Sequence, residues 1–254
     1  MSRPEAAEFF GRRVAWYDDG YDRVDSDGHA VRARMAAALQ LIGPGPGTVL
    51  DAGMGPGRLC TELARRNWTV SGVDAAEEMV AVARRRLGEG ADRLLVGEIE
   101  ALPFPDGSFD VVAATGVLEY ADVPRALAEL ARVLVPGGRA VVSYPNPHAL
   151  PALWRSFVWY TAVRAVKRLL RMPHPSIPRG ASAIPAPRFE RLLAAAGLEP
   201  VARVVSSFLV LPSPVDIALP RLAARLGEAV ESRGPTWLGT QVLYEARKPV
   251  AQGS

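Results

Sequence analysis

From Gly47 to Tyr144, short β-branched runs alternate with longer Ala-, Leu- and Arg-rich stretches of helical period. The first run enters a glycine turn, Asp51-Ala-Gly-Met-Gly-Pro-Gly57. Strands separated by crossover helices pair in parallel, so the alternation predicts a doubly wound, Rossmann-like α/β sheet. Strands are expected at 48–51, 69–73, 94–96, 109–113 and 139–143, with helices starting near Gly57, Ala76 and Val123. Hydrophobic residues make up 49% of the 254 positions, enough for one sizeable core. In such sheets ligands bind beyond the carboxyl ends of the strands, where strand order reverses, so the residues following each strand carry the most weight.

The flanks are read by the same rules. Residues 1–46 form an N-terminal helical cap, with helices expected at 5–21 and 30–42 and a stop at Gly43-Pro-Gly-Pro-Gly47. Residues 47–145 form the core, 146–187 an inserted helical lid opened by Pro145-Asn-Pro147, and 188–254 a C-terminal helix with closing strands, all within one domain. The helix is expected at 188–196, the strands at 201–210 and 241–247 as an antiparallel pair, and an amphipathic stretch at 215–232 between them. Disorder is expected at the termini and at 172–187.

Several classes are disfavoured. The single cysteine, Cys60, has no internal disulfide partner, and the N-terminal residues lack the apolar stretch of a secretory signal, so a cytoplasmic location is expected. The most apolar stretch, 149–170, is interrupted by Arg155, Arg164, Lys167 and Arg168, which argues against a transmembrane segment. A net charge of +3 gives no general reason to expect nucleic acid as partner. The charge is nonetheless uneven: no Asp or Glu occurs between Glu129 and Glu190, while Arg164, Lys167, Arg168 and Arg171 recur on one side of an expected helix.

The glycine turn brings backbone close to a ligand because glycines remove the Cβ atoms that hold it away. Its spacing is not that of the dinucleotide fingerprint, since Arg58 stands where the third glycine would be. Asp51 just before the turn opposes a pyrophosphate and suits a cationic ligand. The absence of Gly-Lys-Ser/Thr removes the nucleoside-triphosphate reading. The second strand ends in Asp74, placed to accept hydrogen bonds from ribose hydroxyls, and Glu98 follows the third strand, where it can accept from an exocyclic amine. Asp74 also suits a helix N-cap, and both roles are compatible. Acids at three successive strand ends outline a nucleoside site.

With these residues in place, the chain resembles the class I S-adenosylmethionine-dependent methyltransferases, in particular the methyltransferase type 11 or UbiE-like small-molecule group, from Phe9 to Lys248. The matching pieces are 49–57, 72–79, 100–110 and 127–142, the last with Pro136-Gly-Gly138. The resemblance implies a seven-stranded, mostly parallel sheet with an antiparallel last strand. It also implies S-adenosyl-L-methionine as cofactor and S-adenosylhomocysteine as product. By the same resemblance, Asp51, Ala52, Gly53, Gly55 and Gly57 surround the methionine part, Asp74 the ribose, and Glu98 with Ile99 the adenine. Ala75 and Met79 flank the adenosine, Thr115 and Gly116 line the methionyl end, and the segment around Tyr17 closes over the methionine carboxylate. The chain departs from the family in having Glu rather than Asp at 98 and Tyr rather than His at 120.

Candidate bases are His148, which follows the fifth strand, then Tyr144 and Tyr17. His29 and His174 read as ordinary histidines, and no metal site is expected because the histidines are far apart and Cys60 has no partner cysteine. The expected partner is a small-molecule methyl acceptor. The basic insertion at 148–171 is read first as a lid that packs its apolar face on the domain. The alternatives are recognition of an anionic or carrier-linked acceptor and peripheral membrane contact through Trp154, Phe157, Trp159 and Tyr160. Competing functions are RNA or protein methylation, and a cyclase or non-catalytic use of the fold.

Overall fold

The computed structural model describes residues 3–169, 184–212, 214–231 and 233–250. Seven strands form one sheet: β1 (Gly47–Ala52), β2 (Trp68–Asp74), β3 (Leu94–Val96), β4 (Phe109–Ala114), β5 (Leu134–Pro145), β6 (Glu199–Phe208) and β7 (Gly239–Arg247). Their order is β3-β2-β1-β4-β5-β7-β6. The pairings of β1 with β2 and β4, β2 with β3, and β4 with β5 are parallel, whereas β7 runs antiparallel to both neighbours. The order reverses between β1 and β4, so a crevice opens beyond their carboxyl ends.

Both faces of the sheet are covered, which is why its inner strands read as nearly continuous apolar runs. The alternating side chains of β1 show the division: Leu50 and Ala52 join a core with α6 (Val123–Val133) and α9 (Ala186–Ala195). Val49 faces the other way, with Leu39 and Ile42 of α3 (Ser26–Ile42), Leu63 of α4 (Arg58–Arg65) and Val80 of α5 (Glu77–Leu87). Helix α3 starts earlier than its apolar spacing suggests because Asp25 caps it, accepting from Gly28 N at 2.9 Å.

Two expectations are corrected. The stretch 5–21 is two helices, α1 (Arg3–Gly11) and α2 (Val14–Asp19). The break follows Gly11, which lies against the Glu78 side chain of α5. The insertion does form helices, α7 (Leu150–Trp154), a wider-wound segment at Arg155–Trp159, and α8 (Tyr160–Leu169). Its apolar face, however, is not packed on the domain: no residue of α8 is buried, and Phe157 and Leu169 are 74% and 83% exposed. The amphipathic stretch near the C-terminus is α10 (Val215–Ala218) and α11 (Pro220–Val230), divided at Pro220. His174, Arg171 and most of 172–187 lie outside the described residues, so the expectation of disorder there is not addressed by the structure.

Candidate active site

A cavity of about 570 Å³ opens at the carboxyl ends of β1 to β4, within the range of small-molecule sites. Its floor is the turn after β1. Gly53 and Met54 donate to Val73 O at 2.8 and 3.0 Å, which ties the turn to the end of β2. Gly55 has φ +52, and a Cβ built on it meets only Tyr17 Cε1 at 3.6 Å, so its backbone is bare toward the cavity. Gly57 serves a different need. Its added Cβ would strike Ala83 at 2.8 Å, so this glycine lets α4 lie against α5.

Asp74 sits on the cavity wall with one carboxylate oxygen accepting from Gly55 N at 2.8 Å and the other from Ala76 N at 2.9 Å. It thus braces the glycine turn and the start of α5, while each oxygen keeps a second lone pair for a ligand. Burial raises its pKa, and the two backbone donors oppose that rise. Ala75, Met79, Glu98 and Ile99 line the same side. Gly116, after β4, lines the other, its N donating to Ser143 Oγ at 2.9 Å.

The roof is the N-terminal cap. Tyr17 of α2 lines the cavity and makes edge contacts with Phe10 and Tyr21, and Phe10 makes another with Tyr120. Arg58 holds this roof in place. It donates to Asp18 Oδ1 at 2.8 Å and to Asp22 Oδ2 at 2.5 Å, while Arg86 donates to Asp18 Oδ2 at 2.5 Å and to Pro56 O. The residue that breaks the dinucleotide spacing is therefore the anchor of the cap.

Not every expected residue lies at the cavity. Among the cofactor candidates Tyr17, Gly53, Gly55, Asp74, Ala75, Met79, Glu98, Ile99 and Gly116 line it, whereas Asp51, Ala52, Gly57 and Thr115 do not. Asp51 is buried beneath the turn, its carboxylate accepting from the Cys60 thiol at 3.4 Å. Burial pushes its pKa up to about 7, a rise that Cys60 opposes and Asp74 reinforces. Of the candidate bases, Tyr17 lines the cavity. Tyr144 is buried in the core against Phe189, 5.2 Å between ring centroids, and His148 is exposed beside Asn146.

Of the cavity residues that escape the sequence reading, Arg34 and Glu119 bear most on its chemistry. Arg34 of α3 reaches over Gly116 so closely that a Cβ there would meet its guanidinium at 2.8 Å. Nothing in the spacing of α3 marks it, because an arginine in a surface-facing turn has the same pattern. Glu119 follows β4 in the short 3₁₀ turn Leu118–Tyr120 and lines the wall. Its place after a strand end was a usable signal. Among the described residues no cluster of His, Cys, Asp and Glu has the arrangement to hold a metal ion, and no helix is long and apolar enough to cross a membrane.

The strand order, the glycine turn at the switch point and the acids at successive strand ends define a doubly wound, nucleoside-binding domain. Residues 50–142 match the family described as "Methyltransferase domain". The chain is 42% identical over 135 residues to a demethylmenaquinone methyltransferase of Thermus thermophilus, covering 51% of this chain and 61% of that one. It is 35% identical over 133 residues to a malonyl-[acyl-carrier protein] O-methyltransferase of Pectobacterium atrosepticum, covering 52% and 49%. The match thus spans about half to three fifths of these relatives' length. The fold is shared with a solved S-adenosylmethionine-dependent methyltransferase, possibly a histamine N-methyltransferase by its description, from Thermotoga maritima. The TM-score is 0.60 at 22% identity, covering 95% of this chain and 99% of that one.

Proposed function

We propose that the chain transfers the methyl group of S-adenosylmethionine to a small-molecule acceptor. The observation that carries this reading is the joining, in one cavity, of the bare backbone of Gly55 with Asp74 and Glu98 from the ends of β2 and β3. The donor set fits the group. Asp74 has lone pairs for the ribose hydroxyls and Glu98 for the adenine amine, while Ala75, Met79 and Ile99 supply apolar surface for the adenine faces. Arg34 at the opposite end gives a carboxylate of the methionine part a cationic partner.

When bound, the cofactor supplies a methyl group on a sulfonium that leaves as a neutral thioether. The protein's task is to aim an acceptor and exclude water. Phe10, Tyr17 and Tyr120 make the apolar roof suited to both, and holding the reactants in line accounts for much of the acceleration. The cavity lining carries Asp74, Glu98, Glu100 and Glu119 against the single cation Arg34, which disfavours a free anion as acceptor. Any anionic or carrier-borne part of the acceptor is better served outside, by Arg164, Lys167 and Arg168 on α8, which do not line the cavity.

Two experiments test this. In titration calorimetry, S-adenosylmethionine binds the wild-type chain and binds Asp74→Ala far more weakly; no binding to wild type, or equal binding, sinks the assignment. With methyl-labelled cofactor and fractionated extracts, label enters the small-molecule fraction. Label confined to RNA or protein overturns the acceptor class.

A further inference from the structure

We infer that Glu119 is the acceptor-facing group of the cavity, receiving the O–H or N–H of a neutral, apolar-bodied acceptor and taking its proton as the methyl arrives. This rests on the methyl-transfer reading and adds the substrate class and the residue that meets it.

The argument begins with how the cavity's carboxylates are employed. Asp74 has both oxygens on backbone amides, and Glu100 accepts from Asp122 N at 2.8 Å. Glu119 differs from them. Its side chain is only 9% exposed, it lines the cavity, and Oε2 is fully buried with no hydrogen-bond partner. A buried carboxylate oxygen left unsatisfied costs roughly 1–3 kcal/mol or more, and native structures seldom keep one without a ligand or a chemical use.

Position then separates the acids by role. Asp74 and Glu98 follow β2 and β3 on one side of β1, whereas Glu119 follows β4 on the other, past Gly116. A nucleoside held by the first two leaves Glu119 on the side where the methyl acceptor must enter. The neighbouring surface is apolar and aromatic, from Val31, Val117, Phe10 and Tyr120.

The groups that act on Glu119 favour a base over a fixed anion. Arg34 of α3 faces it and favours the charged form, Tyr120 adjoins it in the same turn, and Tyr144 of β5 lies behind it. Burial outweighs Arg34 and raises the carboxyl pKa, so less driving force is lost when it accepts a proton near neutrality. In the transfer, a lone pair of the acceptor O or N forms the new bond to carbon. The carbon–sulfur bond breaks with its electron pair left on sulfur, and the acceptor's proton passes to the Glu119 carboxylate. The products are the methylated acceptor, S-adenosylhomocysteine and a neutral Glu119.

The test uses 1-naphthol and 1-naphthoate, a neutral donor and an anion of similar shape, titrated at pH 7 into chain saturated with S-adenosylhomocysteine. Wild type binds 1-naphthol in preference to 1-naphthoate. Glu119→Gln weakens 1-naphthol by about tenfold or more, in keeping with a hydrogen bond to a charged group, and narrows the preference. It leaves S-adenosylhomocysteine affinity and the unfolding midpoint unchanged, and Glu119→Asp recovers part of the 1-naphthol affinity. Infrared titration shows one carboxyl band fewer protonating above the ordinary range in Glu119→Gln than in the wild type, the bands of Asp51 and Asp74 being common to both. The inference is overturned by preference for 1-naphthoate, by binding of neither probe, by an unchanged 1-naphthol affinity in Glu119→Gln, or by loss of S-adenosylhomocysteine affinity in that variant. Failure of wild type to bind S-adenosylhomocysteine at all is a different result, and overturns the methyl-transfer reading itself.

Discussion

The cavity and the insertion helices both follow strand ends on the same edge of the sheet, yet they are built in opposite ways. The cavity is acidic and braced by backbone hydrogen bonds from three loops. Helix α8 has no buried residue, carries Arg164, Lys167 and Arg168, and leaves Val166 and Leu169 in solvent. Asp74 is tied by both oxygens to the backbone of two loops, so a change there should propagate. On α8 the side chains have few neighbours to disturb. Buried polar contacts are thus concentrated in one region, while the other presents its side chains to solvent.

The largest effect should come from Asp74→Ala, which removes the acceptor for both Gly55 N and Ala76 N and the proposed ribose contact. Affinity for S-adenosylhomocysteine is expected to fall by roughly 100-fold, as charged hydrogen bonds of about 1.5–3 kcal/mol imply. Calorimetry reads this directly, and a change under threefold would break the contrast.

Asp51 tests the same region through pH. Its folded pKa, about 7, lies above the ordinary 3.8, so its contribution to stability is fully present below about pH 4 and is lost as pH rises through 7. A three-unit difference amounts to about 4 kcal/mol at most. Asp51→Asn should therefore flatten the decline of the apo unfolding midpoint between pH 5 and 8, measured by circular dichroism. Parallel profiles for the two proteins would refute the burial argument.

A smaller effect is expected from Arg58→Ala, which frees Asp18 and Asp22 and loosens the roof over Gly55. Because these side chains are partly exposed, solvent reduces the cost, and affinity for S-adenosylhomocysteine should drop about tenfold or less with the sheet intact. Tyr17 fluorescence quenching by ligand offers a second readout, since the ring lines the cavity.

Leu169→Ser should have almost no effect. An 83% exposed side chain contributes little, so the unfolding midpoint should stay within about 2 °C. A fall of 5 °C or more would show that α8 is packed, and the contrast between the regions would fail.

The sheet and the nucleoside half of the cavity were legible in the sequence because they depend on short-range patterns. Val49, Leu50 and Asp51 announce a buried strand entering a glycine turn, and Asp74 and Glu98 recur where the chain must turn back. The break after Gly11 was hidden because residues 12 and 13 carry no proline and continue the polar and apolar pattern of the helices on either side. Arg34 was hidden for a similar reason: its helix looks amphipathic whether the arginine faces solvent or a cavity. The same ambiguity misled the reading of α8, since an apolar stripe signals burial only when something is there to cover it.

The latch of Arg58, Arg86, Asp18 and Asp22 joins segments that the sequence keeps far apart. It closes the cavity with partly solvated charges, whereas the sheet beneath is held by buried apolar contacts. Ionic strength acts on the first and hardly on the second. Rising salt is therefore expected to loosen the exposed Asp22 arm of the latch before it affects the floor, so that site occupancy would depend on the surrounding electrolyte.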